Sequence, residues 1–420
     1  MRLANRNIFI TLIAVTLITA AGALVVIQPF GSGDGGDGPG IKGQESPLSQ
    51  GGEPETVTTY RSRTQSESSG SAVTVGALAP EVDGIAAWIN SEPIVLQESR
   101  GKVVLIDFWT YTCVNCIRTF PFLKLWQSRY ADDGLIIIGV HSPEFTFEKD
   151  LDNVMNAVVE NGITWPVGLD NGLVTWDNYS NRAWPTKYLI DQAGVLRYRH
   201  IGEGQYAETE EQIRELLTEV GADLANDNFP PLSDQPLDPE FLRSQNAEIT
   251  RELYTGYGRD FHDTQSGRPG FVRQAEYFQD QEAVIFFEEP KEMLAHSIYF
   301  SGFWFVGQDL VRHGQPTADY EDYISLIYSA RTVNVVLGSV PGQPYKVRVT
   351  LDGLPLTRED KGDDIVIHSN GESYLRVVEP RMYSLVAHPS YARGHNLRLS
   401  SNSADFEVFA FTFGVYAAGP

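Results

Sequence analysis

Cysteine is nearly absent, with two residues in 420. A small disulfide-stapled scaffold is thereby excluded. A structural zinc site is excluded too, because no second cysteine pair exists and the eight histidines are scattered without ligand spacing. Basic residues are scarce as well, 32 against 55 acidic ones, for a net charge of −23. Phosphate backbones and anionic lipid would repel such a chain, so nucleic acid is not among the expected partners. No internal repeat of the solenoid or propeller kind is present. What is there, 42% hydrophobic and 11% aromatic, is a globular balance, and the length points to two or three folded units.

The exception to an otherwise soluble pattern is the stretch from Ile8 to Phe30, which holds no charged residue. It is long enough to span a bilayer as a helix. Arg2 and Arg6 precede it, and Asp34, Asp37 and Glu45 outnumber Lys42 after it, a bias that keeps the N-terminus in the cytoplasm. Ala21-Gly22-Ala23 also fits a signal-peptide cleavage site, so residues 1–30 read either as a membrane anchor or as a cleaved signal. Both readings export the rest of the chain. The expected location is the cytoplasmic (inner) membrane, single-pass, with the remainder on the extracytoplasmic, periplasmic side, or secretion if the signal is removed. Residues 31–72, with ten Gly and eight Ser, read as a flexible linker whose reach is about 35 Å.

The next unit, residues 73–222, opens on Lys102 to Trp109, KVVLIDFW. This is a buried-strand pattern in which one acid, Asp107, is an anomaly. Cys113-Val114-Asn115-Cys116 follows, and then apolar residues at helical spacing from Ile117 to Trp126. Cys113 therefore falls at a helix N-terminus, where backbone N–H groups and the helix dipole favour a thiolate. Cys116, one turn on, is near enough to close a disulfide. Strand patterns at 135–140, 165–169, 187–190 and 195–201 alternate with helical ones around 148–160 and 208–220, which indicates an α/β unit with a central sheet flanked by helices. Pro185, in Ala183-Trp184-Pro185-Thr186, stands at a strand start, where proline is tolerated.

These residues together, Asp107-Phe108-Trp109, Cys113-Val114-Asn115-Cys116, Pro121 and Trp184-Pro185-Thr186, resemble the thioredoxin-like superfamily, and within it the membrane-anchored TlpA-like and DipZ-type thioredoxin domains. The resemblance implies a thiol-disulfide oxidoreductase that reduces protein disulfides and whose sole redox group is the Cys113–Cys116 disulfide, with no other cofactor and no metal. Cys113 would attack, Cys116 would resolve the mixed disulfide, and buried Asp107 would serve as acid and base. A cis Pro185, with Trp184 and Thr186, would present backbone to an extended substrate segment, and Trp109 and Trp184 would supply apolar walls. The pattern departs in one place: an apolar residue within 135–139 replaces the lysine that accompanies the buried acid in cytosolic thioredoxin. The expected partners are a disulfide-containing protein and a separate membrane thiol reductant. A rival expectation is a peroxiredoxin-like peroxidase, since Thr110 stands three residues before Cys113; Ile106 occupies the place of that family's proline.

Four prolines between 223 and 240 mark an inter-domain linker. From 241 to 420 short β-like runs punctuated by Gly, Pro, Asn and Asp indicate an all-β sandwich or jelly roll. That region resembles the C-terminal module of DipZ-type proteins, which is similar to carbohydrate-binding modules. A glycan partner is accordingly an alternative, with Tyr299, Trp304, Tyr320 and Tyr323 as candidate sugar-stacking rings, and so is a glycan-binding envelope protein with an accessory redox domain.

Overall fold

The computed structural model describes residues 73–224, 229–230, 232–260, 270–340 and 342–419. The expected anchor and linker over 1–72 lie outside the described residues. Among the described residues no helix is long and apolar enough to cross a membrane.

The first domain is a six-stranded mixed sheet in the order β1-β4-β3-β2-β5-β6. Its strands are β1 (Trp88–Ile89), β2 (Val103–Trp109), β3 (Leu135–His141), β4 (Val167–Leu169), β5 (Thr186–Ile190) and β6 (Leu196–Ile201). The helices are α1 (Val114–Tyr130), α2 (Leu151–Glu160), α3 (Val174–Asn178) and α4 (Tyr206–Glu219). β2 runs parallel to β3 and antiparallel to β5. All seven residues of β2 are buried, as a central strand covered on both faces requires. Strand periodicity then divides them. Val103, Leu105 and Trp109 join Cys116, Phe120 and Leu216 on one face, while Val104, Ile106 and Phe108 pack on the other with Tyr179 and Tyr188. Asp107, of the same parity as Leu105 and Trp109, is thereby aimed at the underside of α1.

The region read as a proline-rich linker does more than connect. Asp234 accepts the Tyr206 N–H at the start of α4, and Leu237 forms a β-bridge with Tyr416. A short α5 (Pro239–Arg243) follows, capped by Asp238.

Eleven strands make the second domain: β7 (Leu253–Tyr254), β8 (Ala283–Phe287), β9 (Ile298–Val306), β10 (Val311–His313), β11 (Tyr323–Gly338), β12 (Tyr345–Leu351), β13 (Leu354–Pro355), β14 (Ile365–Ile367), β15 (Ser373–Val377), β16 (Arg381–Ser400) and β17 (Glu407–Gly414). Every strand pairing is antiparallel, and one hydrogen-bonded network joins them all. The expected all-β domain is present. Its hydrogen bonding is continuous because β11 and β16 are long enough, with register shifts between them, to serve several neighbours. The candidate sugar-stacking rings do not share a free surface: Tyr299, Trp304 and Tyr323 are 4%, 0% and 5% exposed, and Tyr320 is half-buried beneath Arg348. Three of the four serve the core.

The two domains are in contact beside the CxxC turn. Phe145 and Phe147 pack on Phe409, the Tyr111 hydroxyl donates to the Pro380 carbonyl, and Glu144 receives the Tyr254 hydroxyl and pairs with Arg259.

Candidate active site

Cys113 is the N-cap of α1, and its sulfur accepts the Cys116 N–H at 3.2 Å. It is half-buried, whereas Cys116 is fully buried. A sulfur at the open end of a helix faces unpaired N–H groups and the positive end of the dipole, and its half-buried position leaves it open to a substrate. The second thiol has the opposite surroundings. Burial pushes the Cys116 thiol well above its ordinary value, and its contact with Cys113 pushes it further. The pair is thus divided into an attacking sulfur and one that needs help in losing its proton.

That help lies directly beneath. Across the sheet at the level of Asp107 stand Gly139 in β3, Lys187 in β5 and His200 in β6. Sheet register puts Lys187 on the same face as Asp107, with its Nζ 3.9 Å from the carboxylate. Both side chains are essentially without solvent exposure, and neither Asp107 Oδ1 nor Lys187 Nζ has a hydrogen-bond partner among the described residues. Burial outweighs their mutual attraction and drives each toward its neutral form. Asp107 is raised to about 6, and Lys187 is lowered. A carboxyl that titrates near neutrality is matched to taking and returning a proton. The lysine missing from β3 is therefore supplied by β5. Gly139 stands in its place because a side chain there would meet the indole nitrogens of Trp109 and Trp165, 2.9 and 3.1 Å from an ideal Cβ.

The segment before β5 carries the expected substrate-presenting residues. The Trp184–Pro185 bond is cis. Trp184 is half-buried, donating from its indole nitrogen to the Ser142 carbonyl and packing on Trp176 with ring centroids 4.3 Å apart. Trp109 is 0% exposed and packed between Phe120 and His141; its position in β2 faces the core, and the expectation of a substrate contact there is corrected. The Thr186 side chain is likewise buried and donates to the Ala183 carbonyl, which holds the turn. His141, pushed down to about 3 by burial, stays neutral at physiological pH and contributes no charge.

Several residues of the site were not singled out in the sequence. Lys187 is one, and Glu148 is another. Glu148 is buried, accepts the Thr112 hydroxyl at 2.6 Å and the backbone N–H groups of Glu144 and Phe145, and so fixes the segment leading into Cys113. On the other side of the turn, Arg118 donates to Asn115 and pairs with Glu203. A single charge inside an apolar strand marked Asp107, and TKYLI carries the same mark for Lys187.

Residues 74–217 match the family described as Redoxin, and residues 250–414 match the family described as Thioredoxin like C-terminal domain. The first domain is a thioredoxin-like thiol-disulfide oxidoreductase. The chain is 34% identical over 340 residues to the protein DipZ of Mycobacterium tuberculosis and to that of Mycobacterium bovis, an alignment covering 80% of this chain and 43% of each relative. It therefore spans under half the length of those relatives. The thiol-disulfide oxidoreductase YkuV of Bacillus subtilis is 29% identical over 141 residues, which are 34% of this chain and 95% of that protein. The thiol-disulfide oxidoreductase ResA of Halalkalibacterium halodurans is 31% identical over 131 residues, 31% of this chain and 70% of ResA. The Redoxin match falls on the domain that holds the dithiol, in keeping with its geometry.

Proposed function

We propose that the chain is an extracytoplasmic reductase of protein disulfides, tethered through residues 8–30 and recharged by a separate membrane dithiol reductant. The observation that carries the reading is the asymmetry of the pair, a half-exposed Cys113 at a helix N-terminus and a buried Cys116 above Asp107 and Lys187. In the first step the Cys113 thiolate attacks a substrate disulfide. The bond from its sulfur to one substrate sulfur forms, the substrate S–S bond breaks, and the released substrate thiolate takes a proton from water. Cys116 then passes its proton to the Asp107 carboxylate and attacks Cys113. The Cys113–Cys116 disulfide forms, the mixed disulfide breaks, and the second substrate thiolate leaves and receives that proton. Two electrons pass from the dithiol to the substrate, and an external dithiol must restore them.

Trapping tests the chemistry. Cys116→Ser is expected to accumulate a mixed disulfide with a reducible substrate, and Cys113→Ser to neither trap nor turn over; turnover by Cys113→Ser refutes the assignment. Labelling tests the location, because in intact cells a membrane-impermeant maleimide is expected to modify Cys113 of the full chain. Labelling only after lysis places the domain on the wrong side.

A further inference from the structure

The turn that carries the dithiol is gripped from outside its own domain. Val114 and Arg118 occupy the outward side of the first turns of α1, yet they are only 4% and 3% exposed. They face the end of β17 and the residues after it: Val114, Asn115 and Arg118 line one wall of a cavity of about 270 Å³, and Thr412 to Tyr416 line the opposite wall. Tyr416 is the most engaged of these. Its hydroxyl donates to Glu203 at 2.7 Å, and its ring lies beneath the Arg118 guanidinium, 4.8 Å from centroid to carbon. Glu203, in the loop after β6, also meets Arg118 at 3.4 Å. Arg118 in turn donates to the Asn115 side chain at 2.9 Å. Asn115 is the residue directly before Cys116 and is held a second time where its carbonyl accepts the Thr119 hydroxyl.

A buried guanidinium keeps one orientation only when its partners are fixed. Here the Glu203 carboxylate and the Tyr416 ring are among the partners that fix it, and the ring belongs to the second domain. We propose that Tyr416 is a positioning residue of the redox centre: through Glu203, Arg118 and Asn115 it holds the turn in which the Cys116 N–H faces the Cys113 sulfur. That N–H bond is charge-assisted when the sulfur is a thiolate, so it favours the reduced pair over the disulfide. The β domain thereby sets how strongly the neighbouring dithiol reduces. The inference rests on thiol-disulfide exchange by Cys113 and Cys116, which the wild-type chain tests by itself.

The experiment compares the full chain with Tyr416→Phe and Tyr416→Ala, equilibrated in glutathione redox buffers, and also follows the rate of Cys113 alkylation by iodoacetamide at pH 7. Tyr416→Ala is expected to shift the dithiol–disulfide equilibrium three- to tenfold toward the disulfide, tenfold being about 30 mV, and to slow alkylation in the same proportion. Tyr416→Phe, which keeps the ring over Arg118 and loses only the hydroxyl, is expected to shift both in the same direction by less. Tyr391→Phe is the control, since that hydroxyl serves the Glu248 carbonyl; it is expected to leave both readouts in place. Folded Tyr416 variants whose equilibrium and alkylation rate stay within twofold of wild type overturn the proposal, as does a shift of equal size in Tyr391→Phe. If Tyr416→Ala fails to fold, Tyr416→Phe decides alone. A wild-type chain that does not exchange with glutathione at all overturns the underlying chemistry instead, and the two failures are told apart by that reading.

Discussion

Replacing the buried pair, as Asp107→Asn with Lys187→Met, removes both charges from beneath Cys116 while keeping the volume close to that of the original side chains. In the folded chain burial raises the Asp107 carboxyl to about 6, from an ordinary value of 3.8. The folded state therefore holds the proton more tightly than the unfolded one, and the stability this provides is present at low pH and lost as pH rises through that window. A shift of this size corresponds to about 3 kcal/mol at and above neutrality. Because the unfolded carboxyl is already partly ionised at pH 4, the change between pH 4 and pH 7.5 is smaller, about 2 kcal/mol. Lys187, though lowered by burial, is also held up by Asp107, and removing it together with its partner avoids leaving an unpaired buried ammonium. The assay is urea unfolding of both proteins under reducing conditions at several pH values, taking the difference in stability at each so that titrations elsewhere cancel. The variant is expected to gain on the wild type by about 2 kcal/mol from pH 4 to pH 7.5, while its release of mixed disulfide slows. A difference that stays flat across that range refutes the raised carboxyl and with it the role of Asp107 as the base for Cys116.

Glu148→Ala leaves the Thr112 hydroxyl and the N–H groups of Glu144 and Phe145 without their acceptor. The expected cost is about 3 kcal/mol in chemical unfolding, accompanied by slower alkylation of Cys113. Gly139→Ala forces a Cβ against the indole nitrogens of Trp109 and Trp165; overpacking of this kind costs about 1–3 kcal/mol, seen as a lowered unfolding midpoint with the dithiol chemistry retained.

Features that are local in the chain were legible from the sequence, and features made by tertiary contact were not. Asp107, Cys113 and Cys116 stood out because a charge in an apolar strand and two cysteines one helical turn apart are patterns within a short window. Arg331 interrupts the apolar pattern of β11, yet the strand continues to Gly338, because Arg331 is accommodated by contacts with Asp238 and the Tyr416 carbonyl from outside the strand. Proline content marked 223–240 as a linker, but composition says nothing about docking, and Asp234 and Leu237 are fastened to both domains. Trp109 was expected as a substrate wall, and Tyr299, Trp304, Tyr320 and Tyr323 were only candidate stacking rings, because a ring is equally suited to a core and to a binding face. Only the sheet register and the packing decide between them.

The same register explains why the acid is accompanied by a base and not buried alone. Cys116 must become a thiolate in an apolar site, and creating a lone charge there would meet the full desolvation penalty. Transfer of its proton to Asp107 moves a negative charge from carboxylate to sulfur without adding one. With Lys187 opposite, the cluster of sulfur, carboxyl and amine keeps a constant net charge through that step. A carboxyl held near 6 by burial, and kept from rising further by the lysine, accepts the proton readily and gives it up again once the disulfide has formed. β2 and β5 impose this arrangement jointly, since their antiparallel pairing sets Asp107 directly across from Lys187. A lysine delivered from β3 would have to displace Trp109 and Trp165 from Gly139, so the position on β5 is the one that preserves both the charge balance and the core beneath α1.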